Sequence, residues 1–296
     1  MEIRVLRYFL EVAREENITK SAAYLHVSQP TLSRQIRELE EELGKKLFVR
    51  SNYSVKLTEE GMLLRKRAED ILSMVDKTEA EFKALDEIHG GDIYIGCAES
   101  EGMKYFIQAA KKLREKYPRI RFHFFSSGTD AVNERLERGL LDFAVIVQHV
   151  DLSKYNYLRL PYDDRWGLLM RKDSPLARKN VIQMEDLLDI PLICSRQSME
   201  EEMPEWFGEN LEKINLVATY DLLFNASVMV REGFGYALGF DKLIYTGRDS
   251  DLCFRPLSPV LSNSMYVIWR KYQIFSPVAA LLLEELKRLF GESKQS

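Results

Sequence analysis

Ser28-Gln29-Pro30-Thr31-Leu32-Ser33-Arg34-Gln35-Ile36-Arg37 decides how this chain is read. Ser28 is placed to cap a helix, because its hydroxyl can accept from the orphan amides of a first turn. Pro30 sits where a missing N–H costs nothing, and its fixed φ suits a helix start. Leu32, Ile36 and Leu39 fall at i, i+4, i+7 and make one buried stripe. The other faces carry Gln29, Thr31, Ser33, Arg34 and Arg37, with no acid before Glu38. Hydroxyls, an amide and guanidinium forks suit base edges and phosphates.

The flanks build a motif around this segment. Ser21-Ala22-Ala23-Tyr24-Leu25 reads as a short helix capped by Thr19, with Ala22 and Ala23 small enough for a second helix to cross closely. His26-Val27 makes the turn, and Val27 joins Leu25 in a shared core. Two helices about a tight turn, the second polar and basic outside, form a helix-turn-helix; an ordinary αα-hairpin with solvated arginines is the alternative. An earlier helix is expected from Glu2 to about Glu15, with Leu6, Phe9, Leu10 and Ala13 inward. Gly44 ends the motif's last helix as a left-handed cap. Lys46-Leu47-Phe48-Val49-Arg50 and Ser54-Val55-Lys56-Leu57 alternate around Ser51-Asn52-Tyr53, a hairpin wing whose Arg50 favours backbone contact. The DNA-contacting set is therefore Ser28, Gln29, Pro30, Thr31, Ser33, Arg34, Arg37 and Arg50.

The formal net charge of −4 argues against nucleic acid only as a sum. Neither Ser28–Arg37 nor Lys45–Leu57 contains an acid; the acids gather in Glu15-Glu16 and in Glu38-Glu40-Glu41-Glu42. A positive patch on one face is compatible with a net acidic chain.

Thr58-Glu59-Glu60 opens a long helix, capped by threonine and favoured by acids at the positive end of its dipole. Leu64, Ala68, Ile71, Val75, Thr78, Phe82 and Leu85 alternate by four and three, a seam of about three heptads. No following helix covers it, so pairing with a second copy is expected; packing on its own domain is the alternative. His89-Gly90-Gly91-Asp92 then breaks the pattern. Beyond it, short apolar strands (Ile93–Gly96, Arg121–Phe125, Phe143–Val147, Trp166–Met170, Pro191–Cys194, Met265–Trp269) alternate with helices near Met103–Lys116, Thr129–Arg138, Ala226–Glu232 and Pro277–Phe290. That alternation predicts an α/β domain with mostly parallel strands, long enough for two small lobes.

The 296 residues suit about two domains, and 46% apolar content can bury a sizeable core. No apolar run approaches a membrane span of roughly 20 residues, and Met1-Glu2-Ile3-Arg4 begins an amphipathic helix, so a cytoplasmic protein without a membrane partner is expected. Cys97, Cys194 and Cys253 are far apart and form no CxxC, indicating neither a disulfide framework nor zinc. No cofactor is expected.

Assembled in order, these pieces resemble the LysR-type transcriptional regulators along essentially the whole chain. The resemblance rests on Ser21-Ala22-Ala23 with Leu25 to Ser33, on Ile36 to Gly44 running into Leu47-Phe48-Val49-Arg50, and on Leu57-Thr58-Glu59-Glu60-Gly61. Arg138-Gly139-Leu140-Leu141-Asp142-Phe143-Ala144 and Val230-Arg231-Glu232-Gly233-Phe234-Gly235 extend it, less specifically, into the second half. It implies a winged helix-turn-helix over 1–58, a dimerising linker helix over 59–89 and a two-lobed effector domain over 91–296 similar to periplasmic binding proteins. Lobe one would take 91–160 and 264–296, and lobe two 161–263. It also implies a homodimer through the linker, a homotetramer, a two-fold-related duplex DNA site and a small molecule between the lobes. Carried onto the motif, Gln29, Pro30, Ser33 and Arg34 become base and groove contacts, and Thr31, Arg37 and Arg50 phosphate contacts. Leu238-Gly239-Phe240 departs from a pattern that often has proline there.

Ligands of open α/β sheets sit beyond the carboxyl ends of strands, against helix N-termini. That points to Ala98–Glu101, Ser126–Thr129, Ser195–Ser198 and Phe224-Asn225, and within them to Ser100, Glu101, Ser127, Thr129, Arg196, Ser198 and Asn225 as effector contacts. Helix N-termini favour anions. Glu99 and Glu101 would oppose a carboxylate if they face the cleft, unless Arg196 compensates, and would then suit an amino or cationic effector; the alternative is that both are solvated and merely favour the dipole. Two other functions compete. Cys97 or Cys194 could make the chain a thiol redox sensor, though no basic residue adjoins either to lower its pKa. An enzyme would need a convergent catalytic set, whereas His26, His89, His123 and His149 are scattered and no nucleophile or phosphate-cradling motif occurs, so no enzyme is expected.

Overall fold

In the computed structural model, residues 1–50, 55–83, 90–147 and 151–291 are described. They fall into two units, Met1–Lys83 and Ala84–Ser296. The first contains α1 (Ile3–Glu15), α2 (Ile18–Tyr24), α3 (Gln29–Leu43), the hairpin strands β1 (Phe48–Arg50) and β2 (Val55–Leu57), and α4 (Glu59–Lys83). Phe9, Leu32, Ile36 and Leu39 are buried in one core with Leu6, and Phe9 meets Phe48 of the wing at 5.3 Å between ring centres.

The termini form much as the side chains dictate. Ser28 accepts from the Thr31 amide at 3.2 Å, Gly44 is left-handed at φ 64°, and Thr58 accepts from the Gly61 amide at 2.9 Å. Two local expectations fail. Asn17 rather than Thr19 caps α2, accepting from the Lys20 amide at 3.0 Å, because an Asx oxygen two residues earlier already meets that orphan donor. Ala22 is buried at the crossing but Ala23 is exposed. Its place is taken by Ser21, whose hydroxyl donates to the carbonyls of Asn17 (2.8 Å) and Glu11 (3.3 Å).

The seam of α4 is divided. Leu64, Ala68 and Ile71, joined by Leu72, pack into the core of their own unit, largely against α1. Further along, Val75 is half-buried and Thr78 and Phe82 are exposed; Leu85 lies outside the described residues.

The second unit is two α/β lobes. In the first, β3 (Gly90–Cys97), α5 (Met103–Lys116), β4 (Arg119–Ser126), α6 (Thr129–Glu137) and β5 (Phe143–Ile146) alternate. The long strand β6 (Tyr155–Arg171) carries the chain across. The second lobe holds β7 (Pro191–Ser195), α7 (Glu202–Phe207), β8 (Asn215–Tyr220), α8 (Leu223–Arg231), β9 (Tyr236–Phe240) and β10 (Leu252–Pro256). The strand β11 (Ser262–Arg270) returns, and α9 (Pro277–Phe290) packs on α5, β3 and β6. Strand order is β4-β3-β5-β11-β6-β9-β7-β8, with β10 beside β6.

The sheet is mixed, a correction to the mostly parallel expectation. β3 is parallel to β4 and β5, and β7 to β8 and β9. The crossing strands β6 and β11 run antiparallel to each other, and each meets its lobe's strands antiparallel too. A chain that leaves one lobe and must return cannot keep one strand sense. β6 pairs β11 as far as Arg165↔Ser262 and then takes β9 from Trp166↔Phe240. Leu238-Gly239-Phe240 belongs to β9 rather than to a loop, and a Cβ on Gly239 would stand 2.8 Å from Leu223 of α8. Among the described residues, no helix is long and apolar enough to cross a membrane.

Candidate functional site

α3 presents a polar face because its apolar residues are spent inward. Ser28, Gln29, Pro30, Thr31, Arg34 and Arg37 are exposed, and Ser33 is half-buried. The hydroxyls of Ser28 and Thr31 lie 2.7 Å apart, tying the first turn together. The guanidinium of Arg34 is 3.5 Å from Glu38, which also accepts from Gln35 at 2.6 Å. An exposed pair of this kind is weak and screened by salt, so Arg34 can leave it for a better acceptor. The wing is anchored from α3 by Glu40. This buried carboxylate accepts from the Leu47 amide (2.9 Å), the Phe48 amide (3.3 Å) and Lys46 Nζ (2.9 Å). Burial pushes its pKa up, but those donors outweigh burial and hold it below the usual range. The side chain of Arg50 and the wing tip, 51–54, lie outside the described residues.

Between the lobes of the second unit is a cavity of about 340 Å3. Ser127 and Arg196 line it, as the strand-end rule anticipates. Asn225 instead borders an adjoining basin of about 500 Å3, shared with Ser127 and Arg196. The other effector candidates do not line the cavity. Ser100 is buried, donating to Asp164 at 2.6 Å and accepting from the Gly102 amide at 2.9 Å. Glu101 pairs with Lys104 at 3.6 Å. Ser198 is fully buried and donates to the Ser195 carbonyl at 3.0 Å. Thr129 is buried at the start of α6.

Of the two acids weighed for the cleft, Glu99 lines the cavity and Glu101 does not, and the wall has further members that the sequence did not single out: Asp130, Glu200 and Asp221, with Trp166 and Tyr220. Neighbouring residues of one segment point different ways, so Glu99 faces the cavity and Ser100 does not; strand-end position alone cannot choose between them. Tyr220 ends β8 and Asp221 follows it, and the apolar pattern did not reveal that strand. Among the described residues, two hydrogen bonds join a helix N-terminus of one lobe to a side chain of the other. The Leu223 amide, first in α8, donates to Glu99 Oε2 at 2.6 Å. The Thr129 amide, first in α6, donates to Gln197 Oε1 at 3.1 Å. Each lobe thus fills a helix terminus of the other.

The cysteines have the opposite of reactive character. Cys97, Cys194 and Cys253 are all buried. Burial raises the Cys97 thiol against its hydrogen bond with Ser126, and pushes Cys194 up to about 12. A thiol that senses oxidants needs its thiolate. Of the histidines, His26 sits in the helix-turn-helix turn at φ 54° and His123 lies 2.7 Å from Asp92 on the sheet, while His89 and His149 lie outside the described residues. Among the described residues, no cluster of three or more metal-ligating side chains occurs.

Comparison with known proteins matches residues 3–62 to the bacterial regulatory helix-turn-helix protein, lysR family, and residues 87–291 to the LysR substrate binding domain. The uncharacterized HTH-type transcriptional regulator YwbI of Bacillus subtilis (strain 168) is 30% identical over 100% of this chain and 99% of its own. Full-length CbnR solved with its target DNA has the same fold at a TM-score of 0.76, with 20% identity, 98% of this chain and 100% of that one covered. Full-length BenM is 26% identical at a TM-score of 0.53, over 98% and 97% of the two chains.

Proposed function

The chain belongs to the LysR family of transcriptional regulators, and from that premise we propose a sequence-specific DNA-binding regulator controlled by a small molecule held between its two lobes. The observation that carries the proposal is α3: Leu32, Ile36 and Leu39 are buried while Gln29, Arg34 and Arg37 stand exposed along one capped helix. In this reading α3 enters the major groove. Gln29, Pro30, Ser33 and Arg34 meet base edges, and Ser28, Thr31, Arg37 and Arg50 meet the backbone. Val75, Thr78 and Phe82 of α4 pair with a second copy, and dimers join into a tetramer. Two copies of α3 at fixed spacing then read a two-fold-related site. Ligand in the interlobe cavity shifts the population between two assemblies that space those helices differently. The buried, high-pKa thiols favour a bound ligand over a thiol switch.

The test is selection from random duplex DNA. The full-length protein should enrich paired, two-fold-related half-sites, and Arg34→Ala should bind the selected duplex about 10- to 100-fold more weakly with its fold intact. Enrichment of the same sites by Arg34→Ala would remove α3 from the reading role.

A further inference from the structure

The cavity proposed above as the effector site restricts what its effector can be, and the following rests on that proposal. Among the described residues its charged lining is unbalanced: Glu99 and Asp130 from lobe one and Glu200 and Asp221 from lobe two face a single cation, Arg196. Arg196 is already 3.5 Å from Asp221. Glu99, Asp130 and Glu200 have no cationic partner among the described residues.

The places where an anion would dock are also occupied. A helix N-terminus attracts anions through its free amides. The leading amide of α8 holds the carboxylate of Glu99, and that of α6 holds the side-chain oxygen of Gln197. A carboxylate ligand would have to displace both acceptors while entering a field of four like charges. A cation meets the reverse situation. Its charge loses water on entry, but carboxylates from both lobes offset that loss. Beside them, the rings of Trp166 and Phe240, 4.5 Å apart and tilted by 57°, give an aromatic wall suited to a cationic head or an apolar body. The volume of about 340 Å3 lies at the low end for ligand cavities, about 300 to 1,000 Å3, which selects a small molecule.

We propose that the effector is a small organic cation, an ammonium, amidinium or guanidinium head on a compact body, held by Glu99, Asp130 and Glu200 beside the Trp166–Phe240 wall. Glu99 has two duties here. It faces the ligand, and it carries the hydrogen bond that ties lobe one to α8. Cation binding therefore acts directly on a bond between the lobes, which is the coordinate that a LysR-type response would use.

The test is thermal unfolding of the full-length protein with matched probes at equal concentration and ionic strength: benzamidine against benzoate, phenethylamine against 3-phenylpropanoate, and 1,4-diaminobutane against succinate. At least one cation should raise the Tm and no carboxylate should. Glu99→Gln keeps an oxygen for the Leu223 amide but loses the charge. It should fold with at most a modest drop in Tm, since a neutral acceptor replaces a charged one at the helix terminus, and bind that cation about tenfold or more weakly. A carboxylate that raises the Tm, with the effect lost in Arg196→Ala, would overturn the ligand class and leave the cavity as the effector site. Silence from every cation would also overturn the ligand class. A cation shift that survives Glu99→Gln combined with Asp130→Asn would overturn the cavity itself as the site.

Discussion

Two buried carboxylates show how environment sets a residue's behaviour. Asp164, on the crossing strand β6, accepts from Ser100 through one oxygen while its other oxygen has no partner among the described residues. Burial pushes its pKa up to about 7; the Ser100 hydroxyl and Lys242 oppose that, and Asp163 and Glu101 add to it. A folded pKa above the unfolded one means that the folded state holds the proton more tightly. The stabilisation is full below about pH 4 and is lost as pH rises through about 7, a change of up to roughly 4 kcal/mol. Asp164→Asn should flatten the dependence of stability on pH across that window, measured by denaturant titration at successive pH values; an unchanged slope would contradict the assignment. Glu40 is the opposite case. Its folded pKa is lowered, so its contribution is present above the unfolded value and lost as pH falls through the folded one. Glu40→Ala strands two wing amides and should cost about 2 to 4 kcal/mol. In the sequence Glu40 is one acid in a run of acids, and nothing in the run says that it alone turns inward.

At the scale of elements, what was legible followed from local chemistry. The caps at Ser28, Gly44 and Thr58 and the stripe of α3 need only neighbouring residues, and they formed as read. α5 and α9, with strong 3.6-residue periodicity, match their expected spans end to end. What stayed hidden depends on partners distant in sequence. The first half of β6 carries Pro161, Asp163 and Asp164, and only pairing with β11 makes it a strand. β8 lies at one end of the strand order, and its alternation is too weak to stand out. The cavity wall inherits that blindness at Tyr220 and Asp221. The heptad seam was also ambiguous by nature, since an apolar stripe does not say which neighbour covers it. Its first half belongs to α1, and its second half leaves Phe82 68% exposed. Phe82→Glu should therefore shift the dimer toward monomer in sedimentation without loss of helical signal, whereas Leu72→Ala should destabilise the fold by about 2 to 5 kcal/mol. A Phe82→Glu protein that sediments as wild type would remove this part of α4 from the interface.

At the scale of the molecule, one unit carries the face suited to DNA and the other carries the cavity, and regulation requires free-energy coupling between them. That coupling need only be of the order of 1 to 3 kcal/mol to change DNA affinity about 5- to 150-fold. Phosphate contacts should show separately from base contacts: Arg37→Ala should weaken binding to all duplexes alike and reduce the salt slope by about one, whereas Arg34→Ala should relax sequence preference. The most direct measurement is a footprinting titration on the selected duplex, with and without the cation that raises the Tm, for the wild type and Glu99→Gln. Ligand in the interlobe cavity predicts a shifted midpoint or altered protected boundaries for the wild type, with both changes lost in Glu99→Gln. Wild-type titrations that superimpose with and without a cation that demonstrably binds would contradict the coupling of cavity to DNA.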